Sequence, residues 1–404
     1  MSSATAEIEP LAAPRGGRHL SIAPALLEDW LRDYYFNTEI DISSSGVENF
    51  SMADLRELLS LKQEELDRVV FDDSPSCGSE GLRRAIADRW AGGDTRRVMA
   101  THGSSEVIFL IMSALLREGD EVITLDPCYH ALRNLAEAAG CELKTWPLTF
   151  ESGFAADIEG LKRLLSPRTK MVIVNFPHNP TGATVTAEEQ RQIIEAVAGV
   201  NAYLVWDAAF AELTYEGAPL ATPSLLYDRA ITLGTLSKGY GLAGLRVGWC
   251  IAPPELLAGF VHWRDYTTLY LSPLVEAVAQ RAVEQAGTLL GVRLDRARKN
   301  LNILAGWVAE HAEHVEWVRP RGGVTAFLRL RRVEDVETFC HRLARERGTL
   351  LVPGVCFNRP EHVRLGFGGP TPELVEGLAR LSSLLREAAA EAPGVSLTGA
   401  ARGA

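Results

Sequence analysis

No stretch of this 404-residue chain approaches the roughly 20 apolar residues of a membrane span, so a membrane partner is not expected. Basic runs are missing as well. Lysine and arginine number 41 against 52 aspartates and glutamates, and a net charge of -11 argues against a nucleic-acid partner, whose phosphates require a basic face. Cysteine is sparse: Cys77, Cys128, Cys141, Cys250, Cys340 and Cys356 show neither a CxxC pair nor metal-ligand spacing. That excludes a clustered metal site and points to buried, reduced thiols in a cytoplasmic chain. There is no internal repeat, heptad run or low-complexity linker, which excludes a solenoid or a long tether. The first twenty residues carry Glu7 and Glu9 and no long apolar run, unlike a signal or transit peptide. A disordered arm, 1–20, and a disordered tail, 393–404, are expected.

What is present is an ordinary globular composition, 47% hydrophobic and 23% charged, long enough for two or three domains. From about residue 100, helical periods alternate with short apolar runs: "SSEVIFLIMSALLREGD" then "EVITLD", "YHALRNLAEAAG" then "CELKTWPL", "IEGLKRLLSPRT" then "KMVIVNF", "AEEQRQIIEAVAGV" then "AYLVWD". "RAITLGTL" and "VGWCIA" follow. Such alternation predicts an α/β fold with a mainly parallel sheet covered on both faces. We place a large α/β domain at 55–285. The long helical stretch from "SPLVEAVAQ" to "GWVAEH", then strand-like "GVTAFLRL" and "VRLGF", predicts a smaller α+β domain, 286–392. The N-terminal 21–54, with "APALLEDWLRDYYF", contributes to it.

Four segments fall at the carboxyl ends of expected strands or at helix starts, where open α/β sheets build ligand sites. In "THGSSE", Gly103, Ser104 and Ser105 precede an apolar helix; they fit either a phosphate site at the positive helix end or a plain cap. "NFPHNPTG", 175–182, taken alone reads as a Pro/Gly turn. Asp207 ends the otherwise uncharged "VWDAAF", and two readings stay open: a cap, or a partner for a protonated ring nitrogen. In "TLSKGYGLAGLRVGW" the T-x-S-K-x7-R spacing sets Thr235, Lys238 and Arg246 to serve one phosphorylated group, the amine acting on a carbonyl carbon. An interdomain ion pair is the alternative for Lys238, and the company of the other three segments makes it a poor one.

The ordered set THGSSE, NPTG, D-x-x-F, TLSK and GLRVGW, spread over residues 40–385, resembles the class I/II aminotransferases of pyridoxal phosphate fold type I. The resemblance implies pyridoxal 5'-phosphate as cofactor, a small amino acid as substrate, and a homodimer. It implies that Lys238 is the covalent anchor and catalytic proton carrier, that Asp207 faces the pyridine nitrogen, and that Tyr129, in "DPCYH", stacks on the ring. Asn179 would bond the ring oxygen. Gly103, Ser104, Ser105, Thr235 and Arg246 would hold the phosphate, and Arg364, with Gly46 and Asn179, the substrate and its α-carboxylate. No metal is implied. The residue types suit the chemistry: a free lysine amine titrates near 10.4 and must be perturbed to act as nucleophile and base, and a guanidinium matches a carboxylate bidentately.

Two positions depart from the family pattern. Phe210 stands where the family has a tyrosine that donates to the ring oxygen. Asp73, by register from Gly78 and Leu82, stands where many relatives present a tyrosine to the partner's phosphate; either Phe71 or a shifted loop fills that place, or the acid meets a cationic substrate across the interface. With "IDISSSGVENFSMADLRELL", 40–59, these departures are similar to a narrower subgroup, the capreomycidine synthases, which implies dehydration and intramolecular cyclisation of 3-hydroxyarginine in antibiotic biosynthesis. A basic substrate agrees with Glu48, Asp54 and Asp73 near the expected site. The competing readings are an aminotransferase for a basic or aromatic amino acid, an oxygen-dependent arginine oxidase, and a regulatory module of the kind fused to DNA-binding domains. No helix-turn-helix segment precedes residue 40. One consequence is testable: without a tyrosine donor at 210, the ring oxygen's anion is less stabilised, so the lysine–cofactor linkage of the loaded protein should titrate at a raised pKa. The Phe210→Tyr variant should lower it in an absorbance pH titration, and an identical titration in both would reject the assignment.

Overall fold

The computed structural model describes residues 22–391; the expected arm, 1–20, and tail, 393–404, lie outside the described residues. The short apolar runs form a seven-stranded sheet whose spatial order is Val98–Thr101, Gly248–Ile251, Ala230–Thr235, Tyr203–Asp207, Thr169–Asn175, Glu121–Asp126 and Glu142–Pro147. Neighbours pair in parallel except Gly248–Ile251, which runs antiparallel to both strands beside it. The fold is α/β with a mainly parallel sheet, as the alternation of elements led us to expect. The reversed strand was not legible, because a strand buried on both faces carries no directional pattern.

Period-two alternation sends side chains to two different cores. Ile173, Val205, Ile231 and Leu233 pack under the helices Gly103–Leu115 and Pro254–Arg264. Val172, Val174, Leu204 and Trp206 pack on the other face with Ile193 and Val197 of the helix Ala187–Gly199. That helix is opened by a capping box, Thr186 with Glu189, which satisfies two otherwise orphaned backbone donors. The edge strand Glu142–Pro147 is the most exposed of the seven, with Trp146 its one buried residue.

The carboxyl-terminal part holds an antiparallel sheet ordered Val352–Pro353, His362–Gly366, Thr325–Leu330 and Val315–Glu316, with the helices Val336–Arg347 and Thr371–Glu391. The long helical stretch is two helices, Pro273–Glu284 and Ala286–Glu310, broken at Gln285, where φ of -112° leaves the helical region. Gln285 spends its side chain on Leu59 O at 3.0 Å. Among the described residues no helix is long and apolar enough to cross a membrane. All six cysteines are free; Cys250 and Cys340 are buried, while the other four are only half-buried, a correction to the expectation of uniformly buried thiols.

The N-terminal segment ties the two sheets together. Ile40–Asp41 pairs in parallel with Thr349–Leu350, and Gly366 N donates to Ile42 O at 2.9 Å. A few residues on, Val47 N donates to Lys238 O at 3.1 Å and Phe50 N to Gly241 O at 2.9 Å. Close approach makes this possible: a Cβ on Gly366 would lie 1.9 Å from Ser44 O, and one on Gly241 would lie 2.4 Å from Glu48 O. Gly366→Ala should therefore destabilise the protein by about 1–3 kcal/mol, the usual cost of overpacking. A urea or thermal midpoint equal to wild type would show that the segment has room to move.

Candidate active site

The ends of the strands Thr169–Asn175, Tyr203–Asp207 and Ala230–Thr235 open into a cleft of about 460 Å³. It is lined by Ser104, Ser105, Tyr129, Asn179, Asp207, Thr235, Lys238, Arg246 and Arg364 from the sequence-derived set, together with Leu27, Glu28, Leu31, Ser45, Asn175, Phe210 and Ser237. Gly103 and Gly46 sit behind the lining. A Cβ on Gly103, whose φ is +73°, would lie 2.6 Å from an Arg246 nitrogen, and one on Gly46 would lie 3.2 Å from Ser237 O.

Lys238 reaches the cleft because the chain turns immediately after its strand. Thr235 Oγ1 donates to Val247 O at 3.0 Å and accepts from Ser237 N at 3.1 Å. The amine donates to Ser45 Oγ at 2.8 Å and stands 5.8 Å from the centre of the Phe210 ring; among the described residues no carboxylate bonds the lysine, and the ion-pair reading loses its basis. Burial, reinforced by the Arg364 charge, pushes the amine down to about 8.

Asp207 is buried at the strand end, where Oδ1 accepts from Ala209 N at 2.9 Å. Burial pushes its carboxyl up to about 6, against that hydrogen bond and the Lys238 charge. A carboxylate so placed gains from a cationic donor. Asn175 was not singled out from sequence. Its Nδ2 donates to Asp207 O at 3.0 Å and its Oδ1 accepts from Asn179 N at 2.9 Å, so it locks the turn that carries Asn179. The segment is the turn its composition suggested, with Gly182 N donating to His178 O at 2.7 Å, and it also delivers a cleft side chain.

At the other end of the cleft lies the start of the helix Gly103–Leu115, with no side-chain cap at His102. Its exposed N–H groups, the hydroxyls of Ser104, Ser105, Thr235 and Ser237, and the Arg246 guanidinium make an anion cradle. Arg246 holds a left-handed backbone, φ 54°, and its Nη1 donates to Ser237 Oγ at 3.2 Å. Gly248 lets the loops meet, since a Cβ there would lie 2.6 Å from Ser104 N. Arg364 is buried; it donates to Ser43 O at 3.0 Å and Asn179 Oδ1 at 3.3 Å, while its Nε is without a hydrogen-bond partner among the described residues. Burial brings it down to about 10.

These features fit pyridoxal 5'-phosphate: a cradle for a phosphate dianion, a buried carboxylate for a ring N–H, a buried amine for a carbonyl carbon, and an orphaned guanidinium donor for a second anion. Of the acids considered from sequence for a basic substrate, Glu48 pairs with Arg293 and Arg296 and Asp54 closes the capping box on Ser51, and neither lines the cleft. Asp73, expected to meet a substrate across a subunit interface, accepts from the Tyr270 hydroxyl of its own chain. Glu28, Ser45, Asn175 and Ser237 are the residues that sequence reasoning missed. Asn175, at a strand end, carried a usable signal; the others are set by tertiary placement.

The shifts have a sign that can be tested in the cofactor-free protein. With its folded pKa raised from 3.8 to about 6, Asp207 binds more protons folded than unfolded across that window, so stability falls as pH rises through it. Asp207→Asn should stabilise the cofactor-free protein at pH 7, by at most about 3 kcal/mol, and make no difference below pH 4. Denaturation curves at the two pH values that show the same difference would reject the buried-charge account.

Residues 51–381 match the family described as aminotransferase class I and II. The chain is 48% identical over 377 residues, 93% of its length and 97% of the other's, to capreomycidine synthase of Streptomyces vinaceus. It is 27% identical over 318 residues to the arginine–pyruvate transaminase AruH of Pseudomonas aeruginosa, covering 76% of this chain and 80% of that one. A crystal structure of the PLP-dependent cyclase OrfR superposes with a TM-score of 0.87 at 46% identity, covering 93% of this chain and all of the other. The protein belongs to the class I and II aminotransferase family and is a pyridoxal phosphate-dependent enzyme of that fold.

Proposed function

We propose that the enzyme dehydrates and cyclises 3-hydroxyarginine to capreomycidine in antibiotic biosynthesis. The likeness to a capreomycidine synthase over 93% of the chain carries this choice of reaction, and the cleft supplies groups suited to it. Bound pyridoxal 5'-phosphate supplies a carbonyl carbon for the substrate amine and a sink for the electron pair left at Cα. Ser104, Ser105, Thr235 and Arg246 hold its phosphate, and Tyr129 and Asn179 orient its ring. Asp207 keeps a proton on the ring nitrogen, its carboxylate regained once a cation faces it. Arg364 takes the substrate α-carboxylate, with Gly46 leaving room beside it. That contact sets the direction of the Cα–H bond.

Lys238, freed by substrate and held by burial below the ordinary lysine range, removes the Cα proton. The 3-hydroxyl leaves as water, a guanidine nitrogen adds at Cβ and loses a proton, and Cα is protonated again, so the product is the substrate less one water. The reading places the carboxylate-binding residues in a small domain, 21–54 with 286–392, facing a cofactor domain, 55–285. It includes a homodimer, supported by the exposed apolar Val70, Phe71, Tyr266 and Leu269 around the Asp73–Tyr270 contact, and a cytoplasmic setting, supported by free thiols.

The loaded enzyme mixed with 3-hydroxyarginine, without keto acid or oxygen, should release many turnovers of a product one water lighter, with the ring shown by NMR. Lys238→Ala should lower kcat at least about 100-fold. A single turnover to a keto acid and aminated cofactor would mean an aminotransferase, and dependence on oxygen would mean an oxidase.

A further inference from the structure

The cleft carries three cationic side chains, Lys238, Arg246 and Arg364, and the acids lining it are Asp207 and Glu28. Asp207 is committed at the buried strand end. A substrate with a cationic side chain entering this field meets like charge unless a carboxylate receives it. Glu28 is the acid positioned to do so. It lies in the first turn of the helix Leu26–Tyr34, exposed to the cleft, and its Oε1 accepts from the Tyr129 hydroxyl at 3.1 Å. An ionised carboxylate has about four acceptor positions, so this bond leaves most of the group available to the parallel donors of a guanidinium.

The helix is a rigid mount. Leu27, Trp30 and Tyr34 are buried; Trp30 Nε1 donates to Leu351 O at 2.8 Å, and the Tyr34 hydroxyl lies 2.5 Å from His341 Nδ1. Its outer acid, Asp29, is paired with Arg32 at 2.9 Å, whereas Glu28 lines the cleft together with Leu27 and Leu31. The charge of Glu28 is felt in the cleft: it raises the pKa of Tyr129 and opposes the lowering at Lys238 and Arg364.

We propose that Glu28 is the specificity-determining residue of this cleft, its carboxylate taking the guanidinium of an arginine-derived substrate while Arg364 takes the α-carboxylate. The proposal deepens the functional reading above and rests on it for the substrate class. It assigns the N-terminal helix a substrate-reading role that the motifs of the large domain do not supply.

The test is binding of L-arginine and of L-norvaline, which has the same carbon chain without the guanidinium, followed by the absorbance change of the cofactor-loaded enzyme. Glu28→Gln keeps an acceptor for Tyr129 and removes the charge. It should weaken L-arginine about 10- to 100-fold and leave L-norvaline within twofold of wild type. Glu28→Asp, which keeps the charge on a shorter stem, should recover part of the loss. Equal losses for both ligands would reduce Glu28 to a support for Tyr129, and an undiminished affinity for L-arginine would overturn the proposal outright. The functional reading fails separately, on the wild-type product from 3-hydroxyarginine, while the arginine-to-norvaline ratio still decides the role of Glu28.

Discussion

A lysine amine stripped of water is the constraint around which this molecule is organised. Burial alone drives the proton off and would leave a nitrogen too weakly basic to take a proton from carbon; nearby carboxylates alone would hold the proton on. Lys238 lies between these limits because Arg364 acts with burial while Glu28 and Asp207 oppose it. Each of those groups sits on a different element, so the amine's behaviour is a property of the assembled fold. The strand ends, the Asn175–Asn179 turn, the loop 42–50 and the N-terminal helix all have to be in place before the lysine has a usable pKa.

The same balance explains the polar supports. Asn175 adds no charge and touches backbone at both ends, yet it fixes the spacing between Asp207 and Asn179. Behind the anion cradle, Arg264 is buried, donating to Ala100 O at 2.7 Å and pairing with Glu106 at 3.2 Å. This ties the helix that begins at Gly103 to the strand that precedes it. Rigid mounts of this kind keep catalytic groups within the small tolerances that positioning requires.

Much of the large sheet and most of the cleft could be read from sequence, for a physical reason: strands and helices have different periods, and ligand groups concentrate at strand ends where short segments carry unusual residues. Lys238, Asp207 and Arg246 each interrupted an apolar or glycine-rich stretch. What escaped was non-local. The antiparallel Gly248–Ile251 looks like its parallel neighbours because all are buried on both faces. The helix break at Gln285 has no proline to mark it, and the nearby Gly287 lies inside the second helix. Glu28 belongs to a helix whose amphipathic pattern is ordinary, and its place at the cleft follows from the docking of Trp30 against Leu351 and of Tyr34 against His341. Conversely, Glu48 and Asp54 looked available from sequence and are already consumed by arginines and a cap.

The loop from Ile42 to Phe50 behaves as a ruler. One end is bonded to Gly366 in the strand that carries Arg364, and the other to the carbonyl of Lys238 and to Gly241. The separation between the arginine and the lysine is therefore written into a short length of backbone, and glycines at both ends leave little slack. Any amino acid that enters is gauged at its head by a fixed span common to every substrate. Discrimination is left to the far end of the substrate, read from a helix that carries neither the lysine nor the arginine.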